Sequence, residues 1–310
     1  MSDVAELEQP LDSGNQLRDE IRRISHHTRA RRVFISRVMV TLCATSLLIA
    51  AVPLVLLVYQ LLRRGIPVLD KTFFTTLPQT PTLLTPNATG GVSNAIIGTL
   101  VLTLYASIMA IPLGVLVGVY LAENESKLAS SLRVIAQTMA GAPSILMGLF
   151  AFSFLVHDLN VGFSAIAGAF ALAVLMMPVI IISTEIAVRG VPNSLREAGL
   201  ALGAKPHKVS MRVVLPAAIS GIVTGAILAV SRAIGETAPV LLTIGGGFIN
   251  SWKPLDPVSA LPLTIFENAK SEWPSQRAQV WGIALVLVAF VFVLSLSARI
   301  WASRKQQVKN

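Results

Sequence analysis

Along this chain apolar positions run in long blocks, and polar positions gather between them. About six blocks, at 35–62, 93–122, 134–157, 161–187, 213–243 and 278–301, are long enough to cross a bilayer as helices, because a hydrocarbon core takes about 20 helical residues. None alternates apolar and polar residues with period two, so the pattern predicts an all-α polytopic membrane protein rather than a barrel. The longer blocks exceed a straight crossing and predict tilt or extension beyond the membrane. The same pattern divides the chain into a polar tail (1–34), a first span (35–62), a loop (63–92), a core (93–303) that contains a polar loop at 189–212, and a short tail (304–310). Proline, threonine and glycine in "LPQTPTLLTPNATGG" predict that 63–92 is mostly irregular. In the last loop, "LPLTIFENAK" reads either as a short amphipathic helix with Trp252 and Trp273 as interfacial anchors or as an ordinary loop with two belt tryptophans.

Composition sharpens this picture. Only 13% of residues are charged and the mean hydropathy is +0.70, against about 25% charged in soluble domains. A net charge of +9 would suit nucleic acid if it formed a basic face on a folded domain. Instead the basic residues sit in short loops and tails, which argues for no nucleic-acid partner and for a membrane-orienting role. Most of the 25 lysines and arginines fall in the N-terminal tail, at Lys127 and Arg133, between Arg189 and Arg212, and after Arg299. That bias predicts that both termini are cytoplasmic. The opening "RDEIRRISHHTRARR" is too long and charged to be the n-region of a cleavable signal. His26 and His27 lack a third ligand nearby and read as solvated. Cys43 excludes a disulfide framework and reads as a small buried residue.

The loop "RGVPNSLREAGLALGAKPHKVSMRVVLPAA" (189–218) has its own local logic. Ser194 and Glu197 have capping-box spacing, after Pro192 and Asn193. A helix should follow through Leu202, with Gly203 as its left-handed cap. Pro206 suits the first turn of a second helix, and Leu215–Pro216 marks the start of the fifth span. The prediction is a helix–turn–helix parallel to the membrane. No GxxxxGK[ST] sequence occurs, so any ATP would have to be bound by a separate subunit.

Arg232 and Glu236 interrupt the fifth block, although each such charge costs roughly 2.5–3.5 kcal/mol at a helix centre. Four residues apart, they share a helix face. Three readings stand: a structural pair that neutralises itself, a proton relay, and a pathway for an anion. A relay would need further His, Asp or Glu at similar depth, and the neighbouring spans offer only His157 and Asp158 near an external end. In the pathway reading the guanidinium fork meets the oxygens of an oxyanion, while Glu236 holds it and balances its charge when the site is empty. Pro239 should kink the helix near residue 235 and free carbonyls to line a wet cavity. Thr237 and Thr243 would add hydroxyls, unless they bond back to their own helix. Pro112, Pro143 and Pro178 predict irregularities in three other spans.

The order Glu197, Ala198, Gly203, Val213, Leu215, Pro216 resembles the coupling loop of ABC-importer permeases, the binding-protein-dependent transport inner-membrane components. Gly199 stands where that pattern usually has alanine, and Val213 replaces an isoleucine. A narrower resemblance rests on "NAIIGTLVLTLYASIMAIPLGVLVGVYLAE" (94–123), "GAPSILMGLF" (141–150), "SRAIGETAP" (231–239) and "LPLTIF". These segments are similar to the permeases of phosphate-specific transporters, of the PstA type, over roughly 93–300. The resemblance implies six spans in a type I (MetI-like) permease fold within a bacterial cell membrane. It implies a homologous permease beside this chain, an ATP-binding dimer below that holds ATP and Mg, and an extracellular phosphate-binding protein above. No cofactor is expected in this chain and no catalytic residue. Ser194, Glu197, Ala198, Gly203, Lys205 and Pro206 would couple to the ATPase, and Arg232, Glu236 and Thr237 would line the substrate path. Rival readings are a permease for sulfate or molybdate, and a proton-coupled carrier, for which no inverted repeat is evident. A membrane enzyme lacks a nucleophile–base set in the spans.

Overall fold

The computed structural model describes the backbone of residues 10–307 and the side chains of 32–297 and Ile300. Among these residues the regular structure is helical, apart from two isolated bridges, Pro78 to Gly90 and Gly245 to Val258. The side chains of His26 and His27 lie outside the described ones. The chain divides into two compact units, 1–60 and 61–310.

The first unit is most of helix α1, Pro10–Gly65, which contains Pro53 without ending there. Its apolar side chains are exposed from Val33 to Tyr59, and so is Cys43. The expectation of a buried cysteine therefore fails. Lipid solvates an apolar residue as well as a protein core does, so hydrophobicity in a span does not predict burial in protein.

In the second unit the stretch after α1 is more ordered than its composition suggests. A 3₁₀ turn, Ile66–Val68, leads to α2, Lys71–Thr75. Asp70 caps α2 by accepting from the Phe73 N–H at 2.7 Å. The core helices follow: α3 (Ser93–Glu123), α4 (Lys127–Ala140), α5 (Ser144–Ala151) and α6 (Ala165–Arg189). Then come α7 (Asn193–Ala201), α8 (Pro206–Val209), α9 (Leu215–Ile234), α10 (Ala238–Leu241), α11 (Leu261–Ala269) and α12 (Pro274–Gln307).

Five helices among the described residues are long and apolar enough to cross a membrane, and a bent pair makes a sixth. That pair is the expected third span, 134–157. It is α4 followed by Ser144–Asp158, bent by 106°. Gly141 closes α4 and Pro143 opens α5. Proline has no N–H to continue the ladder and pushes its predecessor out of helical conformation, so one apolar block becomes two helices. A π-helical segment, Phe152–Asp158, ends the pair. The fifth block is also interrupted: α9 stops at Ile234 and α10 restarts at Ala238. Pro112 and Pro178, in contrast, sit inside continuous α3 and α6.

Helix α6 is the most buried of the spans and packs mainly on α3 and α9. The core joins Leu102, Ala106 and Ala110 of α3, Leu172, Met176 and Ile180 of α6, and Ala229 and Ala233 of α9. Both neighbours meet α6 through glycines four apart. Added Cβ atoms at Gly118 and Gly225 would lie 2.6 Å from Thr184 Cβ and 2.2 Å from Ser183 Cβ. Without a solvent-driven hydrophobic force between helices, such close approach supplies the packing. At the other end of these helices the helical reading of the last loop holds, as α11. Its first turn, Leu261–Leu263, is buried in protein rather than lying free at an interface, and the Leu261 N–H donates to Thr99 Oγ1 at 2.9 Å.

Candidate functional site: a polar loop and a broken, charged helix

The polar loop folds as two helices around a tight turn. Helix α7 starts at Asn193, with Pro192 as its N-cap and no side-chain cap. Ser194 thus lies inside the first turn, and the expected capping box with Glu197 does not form. The fixed φ of Pro192 sets the helix start ahead of the serine. The C-terminal end matches expectation. Gly203 has φ +76°, its N–H donates to Leu200 O at 2.9 Å, and the Ala204 N–H donates to Gly199 O at 3.3 Å. That is a Schellman cap, and only glycine takes its left-handed position without penalty. Pro206 occupies the first turn of α8, as predicted. α8 continues through a π-helical stretch, Ser210–Val214, into α9, so residues 206–234 form one continuous helical span. A Cβ on Gly199 would come within 3.0 Å of Val209, so the departure from alanine lets α7 lie close against this second helix.

Ser194, Glu197, Ala198, Gly203, Lys205 and Pro206 are all exposed. Between them Leu202 is 89% exposed, and Leu195 and Leu200 are exposed too. Large apolar side chains left uncovered on a loop outside the spans make this loop a candidate interaction surface.

Arg232 lies in the last turn of α9, and Gly235 is the C-cap. The Glu236 N–H bonds back to Ala233 O at 3.2 Å, and Thr237 precedes α10 as its N-cap residue without a side-chain cap. Pro239 sits in the first turn of α10, where its missing N–H costs nothing. The predicted kink is therefore a full break. Across it Arg232 Nε and Glu236 Oε1 are 3.5 Å apart, with side-chain exposures of 47% and 18%. The guanidinium is not sealed in apolar packing, and the pair is loose. Glu236 also lines a small crevice of about 10 Å³ with Thr99, Thr103, Ala233 and Pro262, room for about one water. Thr243 is fully buried and donates to Pro239 O at 2.8 Å, which takes it off any path. Gly148 of α5 supports the break from below, since a Cβ there would lie 2.6 Å from Pro239 Cα. His157 and Asp158, the candidates for a relay, form an exposed pair at 2.8 Å within their own turn.

A second cavity, about 230 Å³, opens between residues 78–94, the Gly245–Phe248 stretch, and α11 and α12. On its wall Asn94 donates to Gly247 O at 2.6 Å and Gln279 to Gly90 O at 3.0 Å. Glu267 is the charged residue on its wall, with its carboxyl raised by partial desolvation. A wall with an acid and no base does not favour an oxyanion.

One charged cluster escaped the sequence reading. Glu185 of α6 accepts from Arg133 Nε at 2.8 Å and is ion-paired with Arg189 Nε at 3.1 Å. Arg196 of α7 pairs with Glu123 at the end of α3. Arg133, Arg189 and Arg196 counted in sequence only as loop charges. The usable signal was Glu185 itself, an acid inside the fourth block.

The sequence matches the family described as binding-protein-dependent transport system inner membrane component, over residues 110–307. It is 37% identical over 273 residues to the phosphate transport system permease protein PstA of Haemophilus influenzae, covering 87% of this chain and 95% of that one. It is 35% identical over 277 residues to the PstA protein of Xylella fastidiosa, covering 89% and 95%. Among solved structures, the MetNI methionine ABC transporter in an inward-facing conformation aligns with 68% of this chain and 94% of its own, at a TM-score of 0.57 and 20% identity. That likeness concerns the fold.

Proposed function

We infer how this chain works from the premise that it belongs to the binding-protein-dependent transport inner membrane components, and among them to the PstA phosphate permeases. It is a multi-pass membrane permease of phosphate transport, working with ABC-transporter partners. We propose that it forms half of a translocation path with a homologous permease, that an ATP-binding dimer carrying ATP and Mg engages the α7–α8 loop, and that an extracellular phosphate-binding protein delivers the anion to the opposite face. The Lys and Arg distribution supports placing both termini and the α7–α8 loop in the cytoplasm. Exposed Leu202 beside Glu197 and Ala198 supports docking there.

Phosphate then passes the break between α9 and α10. The observation that carries this reading is Arg232: a permanent cation within an apolar span, half exposed, held only loosely by Glu236 at 3.5 Å. A tight pair would satisfy the guanidinium and leave little for a passing oxyanion, whereas a loose one can exchange partners. Glu236 keeps the empty site near neutral, and Thr237 stands at the same break with a hydroxyl to offer. Selectivity rests mainly with the binding protein, so the site in the membrane can be weak and release quickly. In the assembled importer, Arg232→Gln is expected to reduce phosphate uptake to background while the protein still inserts and co-purifies with its partners. Uptake at the wild-type rate would remove Arg232 from the path.

A further inference from the structure

Three arginines and two glutamates tie the C-terminal ends of α3 and α6 and the middle of α4 to helix α7. Arg196 is the hinge of the arrangement. Its Nη1 donates to the Glu123 carboxylate at the end of α3, and its Nη2 to the Val188 carbonyl near the end of α6 at 3.0 Å. Behind it the Leu121 carbonyl, left without a helical partner near the C-terminus of α3, accepts from Arg133 Nη2 at 3.1 Å and Arg189 Nη2 at 3.2 Å. The same two guanidiniums share Glu185 through their Nε atoms. Cations at helix C-termini are favoured by the helix dipole, and hydrogen bonds between charged groups are the strong ones.

Apolar packing cannot do this job for α7, because none of its residues is buried. Its backbone rests on the following helix near Val209, and its side-chain link to α3 and α6 is Arg196. We propose that Arg196 is a positioning residue that carries movement of α7 into α3 and α6, and that the Glu185 cluster makes those two helix ends move as one. One planar fork reaching two helices at once is a task for arginine, since lysine is a single point charge. The proposal rests on the reading of α7–α8 as the loop that meets the ATP-binding partner.

The test uses the assembled importer in vesicles, with ATP hydrolysis and phosphate uptake measured together and co-purification of the partners as a check on assembly. Arg196→Glu is expected to lower uptake per ATP hydrolysed on the order of tenfold, within the roughly 5–150-fold range of ordinary coupling energies. The charge swap Glu123→Arg with Arg196→Glu should recover most of that ratio, and Arg196→Lys only part of it. An unchanged ratio in Arg196→Glu, or no recovery in the swap, overturns the proposal. Should Arg196→Glu fail to assemble, Glu123→Gln, on α3 and away from the docking loop, gives the same decision: a normal ratio there overturns it. Glu197→Lys separates the two ideas. If it uncouples hydrolysis from uptake while the Arg196 and Glu123 variants do not, the clasp is wrong and the docking reading stands. If Glu197→Lys also leaves coupling intact, the docking reading has failed.

Discussion

At the scale of single residues, the two glutamates within the apolar spans do opposite work. Glu185, 10% exposed, is shared by two guanidiniums at 2.8 and 3.1 Å, whereas Glu236 meets one at 3.5 Å. The first is a tight structural contact, and the second a loose one, which suits the counter-charge role proposed for it. Removing one member of a buried ionic cluster leaves the rest uncompensated. Glu185→Gln should therefore destabilise the protein by about 2 kcal/mol, below the usual range for fully buried pairs because Arg189 is partly exposed. Thermal unfolding in detergent would show it, and an unchanged midpoint would deny Glu185 that role. The loose pair was legible in the sequence because its members are four apart on one helix. The tight one was not, because Arg133 and Glu185 are 52 positions apart and only the packing of α4 on α6 joins them.

At the scale of elements, breaks matter as much as spans. Among the described residues the apolar blocks coincide with the five helices long enough to cross a membrane and with the bent pair, because length and hydropathy suffice for that. They did not reveal that the third block folds back by 106° at Gly141–Pro143, or that α9 ends outright at Ile234. Proline announces a defect; whether it kinks, breaks or is absorbed depends on what packs beside it, and Pro112 and Pro178 are absorbed. The missing capping box at Ser194 teaches the same point, since Pro192 sets the start of α7 first. At Gly148 the contact is backbone against backbone, α5 on Pro239. Gly148→Val must push α10 away and with it the break that presents Arg232. Overpacking of this kind costs about 1–3 kcal/mol. Phosphate uptake should fall more steeply than the amount of inserted protein, and equal falls in both would mean simple misfolding.

At the scale of the whole molecule, much of the apolar surface is unaccounted for by the chain itself, and its location sorts it. Exposed side chains along the spans face lipid or the second permease proposed above, whereas Leu202, 89% exposed on the α7–α8 loop, has neither explanation. Leu202→Asp should weaken association with the ATP-binding partner by about 2 kcal/mol, the size of an interface hot spot, without changing the thermal stability of the isolated chain. Retained co-purification would place the docking surface elsewhere on the loop. The family and its general architecture were readable from composition and motifs, because those depend on residue type and local spacing. The packing of α3 and α9 on α6 was not read, although glycines four apart, at 114 and 118 and at 221 and 225, were there to be seen. The unbroken helical run from Pro206 to Ile234 has one more consequence. It is a shaft roughly 40 Å long, by a rise of about 1.5 Å per residue, with the loop proposed to meet the ATP-binding partner at one end and the guanidinium at the other. Each added or lost residue turns the far end by about 100°, so the number of residues in the shaft fixes the compass bearing of Arg232 relative to that loop.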